Sequence, residues 1–144
     1  MRIVDNKAEL IIASNSKNIA LARIAVATFA SQLNFTLAEI EEIKVAISEA
    51  VSNAIIHGYQ DQTGKIEIKM NLVDGKLKIE IIDQGRGIEN ISQATNVSYT
   101  DDGRMGLGLT FIDSFMNSFE IESKLDCGTK LKMSKKPQKN KAEA

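Results

Sequence analysis

The chain has 144 residues, 43% of them hydrophobic, enough for one buried core and too few for two ordinary domains. Its 18 basic and 19 acidic residues leave a net charge of −1 at pH 7, so no global positive field exists to grip nucleic acid. Apolar runs are broken by charge short of the roughly 18 residues that a membrane helix needs, and no basic segment precedes an apolar one at the N-terminus. No membrane contact and a cytoplasmic location are therefore expected.

A single cysteine, Cys127, excludes an internal disulfide, and with His57 the sole histidine there is no Cys/His set for zinc. In the last ten residues Lys135, Lys136, Lys139 and Lys141 face only Glu143, giving that segment +3 and leaving −4 for the rest. Pro137 and the absence of apolar periodicity mark it as a disordered basic tail. One domain over residues 1–134 and a tail over 135–144 follow.

In chain order, alternation at Ala8, Leu10 and Ile12 predicts a short strand, and Ser14 to Ser16 offer cap chemistry for a helix running to about Leu33. Ile19, Ala22, Val26, Phe29 and Leu33 form its core stripe. Leu21 and Ile24 fall on another side, which leaves either a dimer or partner face or a helix sandwiched within the fold. A second helix starts at a capping box of Thr36 and Glu39, with Phe35 and Ile40 as hydrophobic staple. Ile40, Ile43, Ile47, Ala50, Val51 and Ala54 keep one face apolar up to Gly58, read as a left-handed residue ending the helix.

Two alternating runs follow, Ile66 to Leu72 and Leu77 to Ile81, joined by Asp74-Gly75 as a type I′ hairpin. Residues Ile88 to Gly103 lack any sustained period and read as a mobile lid. A third helix from about Met105 to Met116 and strands near Phe119–Ser123 and Thr129–Met133 close the chain. The sum is an α+β fold: a two-layer sandwich of a mostly antiparallel sheet with three helices on one face.

Three short patterns carry chemistry. Glu49, Asn53 and His57 recur every four residues along a polar stripe of the second helix. An amide oxygen at Asn53 suits a magnesium ion otherwise held by triphosphate and water, and a carboxylate at Glu49 suits a proton acceptor. A solvated helix face gives the same pattern. In Asp83-Gln84-Gly85-Arg86-Gly87 the glycines let a planar base approach the backbone, and Asp83 can take the amine of adenine. An ordinary turn reads alike. Gly103-Arg104-Met105-Gly106-Leu107-Gly108 opens the third helix, offering bare amides and Arg104 to phosphate, or simply a hinge. The Walker lysine and the eukaryotic protein-kinase motifs are absent.

Taken in order, Glu-x-x-x-Asn on a helix, Asp-x-Gly-x-Gly after a strand, Gly-x-Gly opening a helix and Gly128-Thr129 entering the last strand resemble the boxes of GHKL (Bergerat) ATPases. Residues Ala20 to Phe29 and Glu42 to Tyr59 are most similar, within that superfamily, to the sporulation anti-sigma factors of the sigma-F type, which are serine kinases. The similarity runs from Ser14 to about Met133. It implies Glu49 as general base, Asn53 as magnesium ligand, Asp83 as reader of adenine with Gly85, Gly87 and Thr129 beside it, and Gly106 and Gly108 under the phosphates. It further implies Arg104 at the terminal phosphate and Arg23 as a partner contact, the latter otherwise an ordinary surface arginine.

The cofactors so implied are ATP or ADP with Mg²⁺. The implied partners are a sigma factor, an anti-anti-sigma factor phosphorylated on serine, and a second copy of the chain in a homodimer. A stress-response switch kinase and a non-enzymatic, ATP-gated binding protein are the alternatives. One departure is visible: between Ile88 and Gly103 there is no Lys or Arg, where the family has a basic residue.

Overall fold

A computed structural model of the chain describes residues 4–59, 63–85, 104–123 and 126–138, with the backbone alone at Val4 and residues 104–108. Strand β1 (Val4–Ala13) leads through a 3-10 turn (Ser16–Asn18) into helix α1 (Ile19–Ala30). Helix α2 (Leu37–Asn53) follows and continues into a π-helical turn (Ala54–Gly58), then strands β2 (Lys65–Val73) and β3 (Lys76–Asp83). Helix α3 (Arg104–Phe115) and strands β4 (Ser118–Ser123) and β5 (Thr129–Lys135) complete the order. The strands form one sheet in the order β1-β2-β3-β5-β4, every described pair antiparallel.

Local chemistry explains the boundaries. Asn15 caps the 3-10 turn, its side chain accepting from Lys17 N at 2.9 Å. The capping box of α2 closes in both directions, with Glu39 N donating to Thr36 Oγ1 at 3.1 Å and Thr36 N donating to Glu39 Oε1 at 2.8 Å. Helix α1 ends at Ala30 rather than Leu33, because Gln32 and Leu33 already donate to Phe29 and Ala30 in a tightened turn. Asp74 (φ 52°) and Gly75 (φ 76°) both take the left-handed backbone that a type I′ turn requires, as their sequence predicts.

Because side chains alternate along a strand, the register sorts the sheet into inward rows. Leu10, Ile68, Ile81, Leu131 and Ile121 form one row and Ala8, Met70, Ile79, Met133 and Phe119 the next. These pack under Ala22, Val26 and Phe29 of α1, Ile43, Ile47 and Val51 of α2, and Leu109 and Ile112 of α3. Fully burying such side chains is worth about 1.5–3 kcal/mol each, which makes this core the main stabilising force.

The end rows depart from this apolar rule. At one end the row reads Ile12, Ile66, Asp83, Thr129, Ser123, and at the other Leu77 stands beside Lys135. Lys135 is therefore the last inward position of β5 and not the start of a disordered tail. It is 7% exposed, and its ammonium reaches Glu42 Oε1 at 3.4 Å and the carbonyl of Phe115 at the end of α3. Lys136 N donates to Asn117 Oδ1 and Gln138 N to Glu39 Oε2, so order extends past residue 134, while residues 139–144 lie outside the described ones.

Candidate nucleotide site

The site lies where the polar end row of the sheet meets the end of α2. Asp83 closes β3 in the same inward phase as Ile79 and Ile81, so the pleat buries its carboxylate to 6% exposure. Oδ1 accepts from Gly85 N at 2.9 Å. Burial pushes the Asp83 carboxyl above the ordinary range, and hydrogen bonds from the amides of Gly85 and Thr129 act against that rise without cancelling it. A raised carboxylate at the rim of a sheet is the kind of group that functional sites hold ready for a ligand.

Three glycines let the chain close up around Asp83, Gly58 against the carboxylate itself, Gly85 against Gly58 and Gly128 against the Asp83 backbone. A Cβ on Gly58 would lie 2.9 Å from Asp83 Oδ1, one on Gly85 would lie 2.1 Å from Gly58 O, and one on Gly128 would lie 2.2 Å from Asp83 O. Gly128 also has φ 79°, a backbone open to glycine above all. The reading of Gly58 as a left-handed helix terminator is overturned. It sits in the π turn, its φ is not among the positive ones, and what it supplies is closeness to β3. Single π turns inside helices are frequent at functional sites, and this one stands beside the buried carboxylate.

Glu49 and Asn53 arrive on the last two turns of α2, both partly buried. Asn53 Nδ2 is buried with no hydrogen-bond partner among the described residues, an orphaned amide at the helix end nearest the Asp83 cluster. An unsatisfied buried amide costs about 1–3 kcal/mol unless a ligand takes it up. That orphaned N–H is a donor and fits an anionic oxygen such as a nucleotide phosphate's, whereas the Mg²⁺ ligand expected of Asn53 would be the amide oxygen of the same side chain. Thr129 pairs with Asp83 across β3 and β5, and its hydroxyl lies 2.8 Å from Ser123 Oγ. A cavity of about 330 Å³ opens at this edge of the sheet, lined by Ile82, Glu122 and Lys130, whose register puts them on the face away from the helices, together with Asp83, Gln84, Ser123, Cys127, Gly128 and Thr129.

Helix α3 begins at Arg104, so Arg104, Gly106 and Gly108 occupy its first turns, and α3 packs against α2. Gly87 and the lid over residues 88–103 lie outside the described residues. Arg23 is elsewhere, on α1, whose partners are α2 and β2, and it stands between Leu21 at 50% and Ile24 at 59% exposure. The surplus apolar surface expected on α1 is thus real. Sequence reasoning missed Gly58 as a contact, Tyr59 and Ser123; for Ser123, its place in one alternating phase with Phe119 and Ile121 was the available signal.

The pattern of the histidine kinase-like ATPase domain matches residues 12–135. An anti-sigma F factor of Clostridium acetobutylicum is 46% identical over 137 residues, covering 93% of this chain and 96% of that one. Anti-sigma F factors of Caldanaerobacter subterraneus (42% identical, 91% and 94% covered) and Clostridium perfringens (41%, 92% and 98%) are also similar. Among solved structures, the RsbU and RsbW domains of a Mycobacterium tuberculosis protein superpose with a TM-score of 0.67 at 21% identity, over 91% of this chain. The chain spans 32% of that longer solved chain, and the likeness shows the shared fold.

Proposed function

Because this chain belongs to the anti-sigma F factor family of histidine kinase-like ATPase domains, we propose that it is a cytoplasmic, ATP-dependent serine kinase that binds and inhibits a sigma factor. The observation that carries the nucleotide half of this reading is the buried carboxylate of Asp83 at the polar end of the sheet, packed against Gly58 and accepting from the Gly85 amide. An ionised carboxylate there accepts from an exocyclic amine, which selects adenine. Thr129 adds a hydroxyl beside the same base.

On this reading Glu49 takes the proton of a serine hydroxyl as that oxygen bonds the γ-phosphorus. The bond from the γ-phosphorus to the β-phosphate oxygen breaks, leaving ADP. Asn53 would hold Mg²⁺, which supplies charge neutralisation across the phosphates. Arg104 and the amides around Gly106 and Gly108 at the start of α3 hold and orient the phosphoryl oxygens, with the helix dipole acting in the same sense. The serine belongs to an anti-anti-sigma protein, and its phosphate, carrying about −2 charge, no longer fits beside bound diphosphate.

The sigma factor would be held by a dimer, with Arg23 and the apolar patch of Leu21 and Ile24 on α1 as contact surface. The test is transfer of label from γ-labelled Mg·ATP to one serine of the anti-anti-sigma protein, with Glu49→Gln as control. Label that depends on Glu49 supports the kinase. ATP binding without any transfer would instead leave a nucleotide-gated binding protein.

A further inference from the structure

The aim of Asp83 depends on more than its glycine neighbours. Two segments meet at it: Gly58, which faces the carboxylate, and Gln84-Gly85, which leave β3, pack on Gly58 and donate the Gly85 amide to Oδ1. A single side chain fastens these two segments together, and it is the residue that follows Gly58. Tyr59 ends the π turn with its amide donating to Ala54 O at 2.9 Å. Its hydroxyl donates to Lys65 O at 2.6 Å and accepts from Gln84 N at 2.7 Å. A tyrosine hydroxyl has one proton to give, and here donor and acceptor capacity are both in use.

The ring is held as firmly as its hydroxyl. It lies over Gly64, where a Cβ would stand 2.2 Å from Cε1 and 2.4 Å from Cζ. Gly64 in turn is clamped by Ser14, donating to Ser14 Oγ at 2.7 Å and accepting from Ser14 N at 2.9 Å. The path from β1 through Gly64 and the ring to Gln84 N therefore runs by short contacts throughout, and it ends one residue after Asp83.

We propose that Tyr59 is the positioning residue that sets base selectivity: by fixing the Gln84 amide against the π turn, its hydroxyl keeps the Asp83 carboxylate aimed at a purine 6-amino group. The inference rests on the reading of Asp83 as the reader of the base. A small rotation of Asp83 costs an amine-to-carboxylate hydrogen bond, and it changes little for a 6-oxo purine, which offers that carboxylate no donor at the exocyclic position. Loss of the Tyr59 hydroxyl should thus act on the ratio between the two purines. Gln84 is exposed, so water can satisfy its freed amide and the fold persists.

The experiment measures the Kd of Mg·ATP and Mg·ITP by calorimetry on the full chain, on Tyr59→Phe, on Asp83→Asn, and on Ser14→Ala. Ser14→Ala is the control for lost stability alone, since it removes the bond from the Gly64 amide and leaves both hydrogen bonds of the Tyr59 hydroxyl in place. In Tyr59→Phe, ATP affinity should fall about fivefold to tenfold, the worth of one well-aimed hydrogen bond, with ITP changed less than about twofold. Ser14→Ala should lower the melting temperature and keep the ATP to ITP ratio. Parallel weakening of both nucleotides in Tyr59→Phe, or an unchanged ratio, overturns the inference while Asp83→Asn still loses its preference. A native chain with no preference for ATP over ITP overturns the reading of Asp83 itself, and this inference with it.

Discussion

Gly58 and Asp83 stand so close that a Cβ on Gly58 would lie 2.9 Å from Asp83 Oδ1 and 3.2 Å from Oδ2. The end of the second helix and the end of the third strand meet through a carboxylate that leaves no room for a side chain opposite. This contact separates folding from function at one position. Gly58 has no left-handed backbone to lose, and in a helical turn alanine is favoured over glycine by about 1 kcal/mol.

Gly58→Ala should therefore leave thermal stability within about 1 kcal/mol of the native chain while displacing Asp83 and weakening ATP at least tenfold. Paired melting and ATP titrations check both halves. An alanine variant that binds ATP normally would show that the carboxylate can shift without consequence.

Nucleotide binding should depend on pH through Asp83. Its pKa is raised by burial, and only the ionised form accepts from an amine, so ATP affinity should fall on acidification at a pH above that of an ordinary carboxylate. Stability has the opposite sign at this group. The folded state holds the proton more tightly than the unfolded one, so this carboxylate's contribution to stability declines as pH rises from the unfolded pKa through the folded one. ATP titrations across a pH series, native against Asp83→Asn, should show the acid limb in the native chain alone.

Glu39 behaves in reverse. Burial pushes its carboxyl up, but hydrogen bonds from the Thr36 amide, the Gln138 amide and the Thr36 hydroxyl, with the charge of Lys135, outweigh that and hold it below the usual range. Its stabilisation is present above the unfolded pKa and is lost as pH falls through the depressed folded value. Glu39→Ala should cost about 1–2 kcal/mol at neutral pH, through the capping box and the tie to Gln138, and flatten the acid limb of a urea-midpoint against pH curve.

The hairpin offers a control remote from the site. Gly75 has φ 76°, and a Cβ added there would meet no described atom within 4 Å, so Gly75→Ala brings strain and no clash. A loss of about 1–2 kcal/mol in urea unfolding is expected, with ATP affinity unchanged.

Much of this was legible in the sequence because the signals were local. The capping box at Thr36 and Glu39, the Asp74-Gly75 turn and the alternation of β2 and β3 are short-range chemistry, and each stands where periodicity put it. Asp83 could be picked out because it continues the inward phase of Ile79 and Ile81 with a charge. What escaped notice required partners distant in sequence. Gly58 looks like a helix terminator until Asp83 is seen against it, and Tyr59 gains its meaning from Lys65 and Gln84. Lys135 resembles tail because its neighbours are basic, although its spacing from Leu131 and Met133 puts it on the inward face, where Glu42 and the end of α3 receive it. Composition and periodicity point in different directions at that residue, and periodicity is the better guide.

The most direct test of the central claim is calorimetric titration of Mg·ATP into the native chain and into Asp83→Asn. The native chain should bind, and the variant should lose at least tenfold in affinity with a melting temperature no lower than that of the native chain, since a neutral amide removes the burial penalty at this position. Equal ATP affinity in the two proteins would contradict the assignment of this end of the sheet as the adenine site.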